Sequence, residues 1–387
     1  MTVQTTAALM DTYRRWPVAF VEGRGAILTD AEGKSYIDLV GGIAVATLGH
    51  CHPKVVAAIV EQAQALIHVS NLYENPLNEA LAARLASLTG GMRSFFCNSG
   101  AEAIECALKL ARKHAAGRTR FVAATGAFHG RTFGALSATG QPAKQAPFEP
   151  LVPGFAHVAY DDVDALEREL AAGDVAAVLL EPVQGEAGVV VPDPGYLAAV
   201  RELCNAHSAL LIVDEVQTGL GRTGAWFAYL HTEIEPDIVC LAKALAGGLP
   251  MGACLATPEV AAAFAPGDHA TTFGGGPVQS AAALAVLDAI EEEGLIERAV
   301  DAGERLRGGL GRIFGVDGVR GLGCLLAVTL DRPVARELAG AALAKGVLVN
   351  DIGTDVIRLS PPLVIADDEI NRALMFLGEA WDEVITA

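Results

Sequence analysis

Cationic charge, paired cysteines and long apolar runs are what this sequence has least of. Its 28 lysines and arginines face 46 aspartates and glutamates, a formal charge of −18. Nucleic-acid binding draws on a basic surface, so that class of partner is excluded. Any anionic ligand must be held by a local device, such as a helix N-terminus or a placed arginine. The 7 cysteines are an odd number, scattered through apolar segments with no CxxC pair, which argues against a disulfide framework or a structural zinc site. GHCHP (Gly49 to Pro53) crowds His50, Cys51 and His52 too closely to converge on one ion; it reads as turn chemistry before a helix over Val55 to Ala65. No apolar run approaches the roughly 20 residues that span a bilayer. The opening MTVQTTAALMDTYRRW has no basic end followed by an apolar stretch and does not read as a secretory signal. The expectation is a soluble, cytoplasmic protein that engages neither membrane nor nucleic acid. Internal repeats, low-complexity tracts and flexible linkers are also missing.

What is there is apolar sequence in short pieces. Hydrophobic residues make up 52% of the 387 positions, and mean hydropathy is +0.36, enough to build a large core. The length fits roughly two to three domains. GRGAILTDAEGKSYIDLVGG reads as two short strands around a turn at Glu32 and Gly33. After Pro53, helical stretches (Lys54 to Ala65, Asn78 to Leu88, Ala101 to Arg112) alternate with apolar runs: RSFFCN, RFVAAT, VAAVLLEPV, ALLIVDEV and DIVCLA. Short apolar runs separated by helices imply a mostly parallel sheet covered on both faces. From about Ala281, alanine- and leucine-rich helices precede the strands VRGLGCLLAVTL and GVLVN…DVIRLSPPL. The fold class is therefore α/β, a large domain over 51–280, with a smaller α+β domain over 281–387 that the segment 1–50 completes.

Ligands of open α/β sheets sit at the carboxyl ends of the strands, and three such ends carry chemistry. In FFCNSGAEAIECALKLAR a strand stops at Asn98, Ser99 and Gly100 turn, and a helix begins near Ala101. Its first N–H groups are free to cradle a phosphate, although Ser-Gly before a helix is also an ordinary cap. In ALLIVDEVQTG five apolar residues lead to Asp214, a buried carboxylate that needs a cationic or donor partner. A protonated heterocyclic nitrogen would serve, with Gln217 hydrogen-bonding another atom of the same ring; a helix cap or internal salt bridge is the plainer reading. In DIVCLAKALAGG a strand runs straight into Lys243, in a chain where lysine is sparse. Such a lysine either snorkels to solvent or is a desolvated amine poised to attack a carbonyl. Taken together, a phosphate cradle, a strand-end carboxylate and a strand-end lysine match the needs of pyridoxal 5′-phosphate, with Lys243 holding the aldehyde as a Schiff base. GLGRTG (Gly219 to Gly224) literally matches GxGxxG, but DEVQT separates it from its strand and no good helix follows, so a dinucleotide is disfavoured.

These motifs resemble the class III pyridoxal-phosphate aminotransferases, enzymes of fold type I. The resemblance runs nearly end to end, through YIDLVGGIAVATLGHCHP, FFCNSGAEA, FHGRT, LEPVQGEAGVVVPDPGYL, DEVQTGLGRTG, LAKALAGGLPMGA, TTFGGGP and IRLSPPLVI. It implies that Gly100 and Ala101 bind the phosphate through backbone N–H groups, that Phe128 stacks on the ring, that Asp214 pairs with its nitrogen, and that Gln217 lies near its phenolic oxygen. It makes Lys243 the catalytic lysine. Thr272 is expected to reach the phosphate of the neighbouring subunit, which implies a homodimer with shared active sites. Arg131, with Thr271 nearby, looks like the site of the substrate's distal carboxylate. Arg358 resembles the arginine for the α-carboxylate of glutamate, and Glu186 the acidic residue that covers it while a terminal-amine donor is bound.

By the same resemblance the reaction is transfer of a terminal amino group to 2-oxoglutarate. Ile43, where an aromatic is usual for free ornithine, leans toward an N-acylated donor such as N2-acetylornithine. Free ornithine, succinylornithine, carrier-linked lysine or 4-aminobutyrate stay open as donors, as does an aminomutase of the same fold. Ile104, Cys106, Ala270, Gly276 and Ala46 depart from the family's usual residues; none removes a cofactor group, but Ala270 and Gly276 flank the loop expected to cross between subunits.

Overall fold

The computed structural model describes residues 8–313 and 315–386; the first seven residues of the N-terminal segment lie outside it. Its centre is a seven-stranded sheet, in the order Arg93–Cys97, Gly252–Ala256, Ile238–Leu241, Leu210–Asp214, Val175–Leu180, Arg120–Ala124 and Phe155–Val158. Gly252–Ala256 runs antiparallel to both neighbours, and the remaining pairs are parallel. The five apolar runs expected to be strands are all there. Phe155–Val158 and Gly252–Ala256 are additional. GACLA is too short and too rich in small residues to announce itself, and it is a strand because it is inserted between two others.

The two faces of the sheet explain why these strands read as unbroken apolar runs. Alternate residues belong to different cores: Val178, Leu180, Leu211 and Val213 to one, Ala177, Leu179, Leu210 and Ile212 to the other. A helix over Gly100–His114 covers the second face with Ala103, Ile104, Ala107 and Ala111. Tyr196–Ala206 packs on the first with Tyr196, Leu197, Val200 and Cys204. Each leucine so buried contributes about 1.5–3 kcal/mol.

Two smaller sheets use the chain ends. Val316–Leu322, Leu325–Leu330, Val356–Leu359 and Asn350–Ile352 form one, antiparallel throughout. The other joins Phe20–Arg24, Ile27–Asp30 and Ser35–Asp38 to Val347–Leu348, the last pair parallel, so the N-terminal segment is stitched to residues far along the chain. The expected hairpin around Glu32 and Gly33 is present, with one strand more than the sequence suggested.

After Asp38 the chain makes an uncommon turn. Gly41, Gly42, Ile43 and Ala44 all have φ between 55° and 63°, a single left-handed turn. For Ile43 and Ala44 this costs about 1–2 kcal/mol each. The Asp38 carboxylate offsets it by accepting from the N–H of Val40 and Gly41, and the Gly41 carbonyl accepts from Val45 and Ala46. At Gly41 a Cβ would lie 2.7 Å from the Ser360 carbonyl oxygen, so glycine is required there. The turn delivers Val45 to the cavity described next.

Candidate active site

Five strands end on the same edge of the large sheet: Arg93–Cys97, Ile238–Leu241, Leu210–Asp214, Val175–Leu180 and Arg120–Ala124. The residues just beyond them line one cavity of about 440 Å³: Asn98 to Ala101, Ala242 and Lys243, Asp214 to Gln217 without Glu215, Glu181, and Phe128 to Arg131. Thus Gly100, Ala101, Phe128, Arg131, Asp214, Gln217 and Lys243, widely separated in sequence, share one space. Gly252, which opens the antiparallel strand, permits this closeness, since a Cβ there would sit 2.3 Å from the Ser99 carbonyl oxygen.

At the first strand end the Ser99 hydroxyl caps the helix by accepting from the Glu102 N–H, and Glu102 reaches back to the Asn98 N–H at 2.6 Å. The N–H groups of Gly100 and Ala101 have no acceptor within the helix, as for any first turn, and both residues line the cavity. Gly130, with φ of 139°, lets the Phe128–Arg131 loop pass within contact of Ala101; a Cβ on Gly130 would lie 2.7 Å from that of Ala101.

Asp214, 4% exposed, has both oxygens engaged. One accepts from the Val216 N–H, and the other is 2.7 Å from His129 Nδ1. His129 Nε2 is buried without a partner. Glu181 lies alongside, accepting from the N–H of Phe128 (3.0 Å) and of Gly185 (3.2 Å). Burial pushes its carboxyl up to about 7, with Asp214 adding to the rise and His129 opposing it. His129 and Glu181 were not singled out from sequence; nothing in FHGRT or LEPVQG says which strand end each will meet.

Lys243 is half-buried in the cavity wall, and desolvation pushes its amine down to about 8, the nearby Arg358 charge pushing the same way. It also adopts φ of 44°, a strained value for a residue with a side chain. A desolvated, partly neutral amine is the form that attacks carbonyls. Its place in the wall of this cavity, beside Asp214, favours this reading over snorkelling.

Arg358, on Val356–Leu359, is 2% exposed. Its Nη1 donates to Glu186 Oε1 at 2.6 Å, to Gln217 Oε1 at 3.2 Å and to the Gly185 carbonyl at 3.2 Å. Burial alone would raise the Glu186 carboxyl, but the charge and hydrogen bond of Arg358, with Lys243 and Lys144 behind, hold it below the usual carboxylate range. Gln217 joins this pair to the cavity. The Arg131 guanidinium lies 5.4 Å from the centre of the Phe128 ring and the Lys144 ammonium 5.0 Å from it. Neither cation has a carboxylate within ion-pair distance among the described residues.

Thr271 and Thr272 do not line this cavity but an adjoining one of about 540 Å³, and Asn98 lines both. Asn98 Nδ2 donates to Thr271 Oγ1 at 3.3 Å, while Thr272 is exposed. Ile43, weighed in the choice of donor, lines a different neighbouring cavity, and it is Val45 that reaches the first. GLGRTG serves architecture. Arg222, 1% exposed, donates to the carbonyls of Cys324 and Pro361 and to Thr47 Oγ1, tying three distant segments together. In GHCHP, His50 pairs with Asp38 and His52 with Glu293, so the two histidines face different partners. Among the described residues no group of histidines, cysteines or carboxylates is arranged to hold a metal ion.

A helix start, a buried carboxylate and a desolvated amine in one cavity are the chemistry of carbonyl–amine exchange. The chain belongs to the class-III aminotransferases, whose family model matches residues 9–380. It is 53% identical over 376 residues to the acetylornithine aminotransferase of Methanopyrus kandleri, covering 96% of each chain. To that of Mycobacterium tuberculosis it is 51% identical over 386 residues, covering 98% of this chain and 96% of the relative. The ornithine aminotransferase structure from Toxoplasma gondii superposes with a TM-score of 0.94 at 36% identity, covering 98% of this chain and 93% of that one.

Proposed function

We propose that this enzyme transfers the terminal amino group of N2-acetyl-L-ornithine to 2-oxoglutarate, giving N-acetylglutamate 5-semialdehyde and glutamate, a step of arginine biosynthesis. The observation that carries the two-substrate chemistry is the Arg358–Glu186 pair beside a desolvated Lys243. The choice of donor is supported by the full-length relatives, two of them named above, that carry this activity in their names.

The residues present fit pyridoxal 5′-phosphate, which when bound supplies the carbonyl that takes up the amino group and the electron sink that lets the neighbouring C–H proton leave. Gly100 and Ala101 would hold the phosphate through their N–H groups. Asp214, held by His129, would keep a ring nitrogen protonated. Phe128 supplies an aromatic wall and Gln217 a polar contact at the ring's edge. Lys243 would hold the aldehyde, and its Nζ would carry the proton away from the substrate carbon and back. Val45, Val216, Leu249, Pro250 and Met251 line the same cavity and keep water from the reacting atoms.

Arg131 takes the carboxylate at the substrate's far end, with Thr271 nearby. At the near end the two substrates differ. Glutamate and 2-oxoglutarate carry a carboxylate next to the reacting carbon, and N-acetylornithine carries only hydrogen there. Glu186 satisfies Arg358 when the donor is bound and swings aside for the acceptor, so that one pocket serves both without stranding a buried charge. The working form is a homodimer in which exposed Thr272 completes the phosphate site of a second copy. Large and small domains divide near residues 50 and 280. The enzyme acts in the cytoplasm; among the described residues no helix is long and apolar enough to cross a membrane.

The deciding experiment is the absorption spectrum of the protein loaded with pyridoxal phosphate, before and after N-acetylornithine is added without 2-oxoglutarate. Loss of the yellow band with appearance of the aminated cofactor is expected. A yellow protein that ignores this donor but reacts with ornithine, succinylornithine or 4-aminobutyrate moves the reading to that donor. A protein that stays colourless with pyridoxal phosphate overturns the role of Lys243.

A further inference from the structure

The following rests on the reading of Arg358 as the site of a carboxylate next to the reacting carbon. Strands Asn350–Ile352 and Val356–Leu359 are antiparallel, with Asn350 directly opposite Arg358. Residues so paired project to the same face of the sheet, and Asn350 Oδ1 accepts from Arg358 Nη2 at 2.6 Å. The remaining acceptors, Gly185, Gln217 and Glu186, all crowd onto Nη1. Asn350 is thus the partner on the opposite edge of the guanidinium. It is also fixed by the backbone ladder, whereas Glu186 sits on a connecting segment and is about a quarter exposed (25%).

Among the described residues Glu186 is the only carboxylate within ion-pair distance of Arg358. When Glu186 leaves, the buried guanidinium keeps neutral acceptors at both edges. It stays oriented, but its charge is no longer compensated, and that charge is what draws in a carboxylate. An acidic residue at position 350 would cancel it permanently; an alkyl one would let the fork swing. We infer that Asn350 is a positioning residue, anchoring Arg358 through the exchange of Glu186 for a substrate carboxylate, and that its neutrality sets the enzyme's affinity for α-carboxylate substrates as against terminal amines.

The test compares Asn350→Asp and Asn350→Ala with the parent, each loaded with pyridoxal phosphate. The two half-reactions are followed separately by cofactor absorbance, one with L-glutamate and one with N-acetylornithine. Asn350→Asp is expected to raise the KM for glutamate about tenfold or more, the size of one lost charge-assisted contact. The N-acetylornithine half-reaction should stay within about twofold, because that substrate meets Arg358 already neutralised. Asn350→Ala, which adds no charge, should raise the glutamate KM by less. A glutamate KM in Asn350→Asp within about twofold of the parent overturns the inference. So does an equal loss in both half-reactions, the mark of a structural role only. If the parent itself ignores N-acetylornithine, the donor reading fails alone. The glutamate arm, set against whichever terminal amine the enzyme accepts, still decides the role of Asn350.

Discussion

Replacing Glu186 with alanine should push the two half-reactions in opposite directions. In the parent, Arg358 is already paired when glutamate arrives, so part of the binding energy goes into displacing Glu186. Without Glu186 that cost vanishes, and the terminal-amine donor instead faces a buried, uncompensated guanidinium. Breaking a fully buried pair costs about 3–5 kcal/mol. Here Glu186 is 25% exposed, and Arg358 retains Asn350, Gln217 and the Gly185 carbonyl as acceptors. The discounted figure is that of a hydrogen bond to a charged group, about 1.5–3 kcal/mol, or about 10- to 150-fold in the ratio of specificities. Single-turnover kcat/KM values for L-glutamate and N-acetylornithine, measured on the loaded enzyme, give that ratio directly. An unchanged ratio, or losses of equal size for both substrates, would refute the gating role of Glu186.

Lys243 sets a pH dependence. Its amine, lowered to about 8 mainly by burial, must be neutral to attack an aldehyde. Uptake of pyridoxal phosphate by the cofactor-free protein should therefore accelerate with pH and level off above about 8, as stopped-flow absorbance can record; a midpoint near the ordinary lysine value of 10.5 would count against a desolvated amine. Glu186 holds that pKa up in part, so Glu186→Ala should lower the midpoint. The sign for folding follows: between about 8 and 10.5 the unfolded chain holds a proton here that the folded chain lacks, so the cofactor-free protein gains stability as pH rises through that window. Arg222→Met leaves the acceptors of Thr47, Cys324 and Pro361 dry. Desolvation of the guanidinium offsets part of the loss, and a destabilisation of about 2 kcal/mol or more is expected in urea titrations; an unchanged midpoint would remove Arg222 as a tie between segments.

The strands that form the sheet's interior were legible because both faces are buried, which makes Val175–Leu180 or Leu210–Asp214 apolar at nearly every position. Capping was legible at Ser99, where a short polar side chain stands before a helix. Gly252–Ala256 was not, because what makes it a strand is the slot between two others. Nor was the left-handed turn at Gly41–Ala44, whose strain is offset by the distant constraint of Asp38 and by the press of Ser360.

For the site, local chemistry sufficed where one residue and its strand end carry the role. Lys243, Asp214 and the Gly100–Ala101 turn are each announced by an apolar run that stops at an unusual residue, because burial of a polar group is costly and therefore conspicuous. Pairings across the chain are different. The contact of His129 with Asp214, the two backbone bonds of Glu181 and the grip of Asn350 on Arg358 depend on which strand lies beside which. Strand order is set by how the helices pack on the two faces, and no local signal encodes it. The sequence by itself determined which groups are available for the chemistry; the tertiary structure decided which of them touch, and so which charges are compensated and which are left free to act.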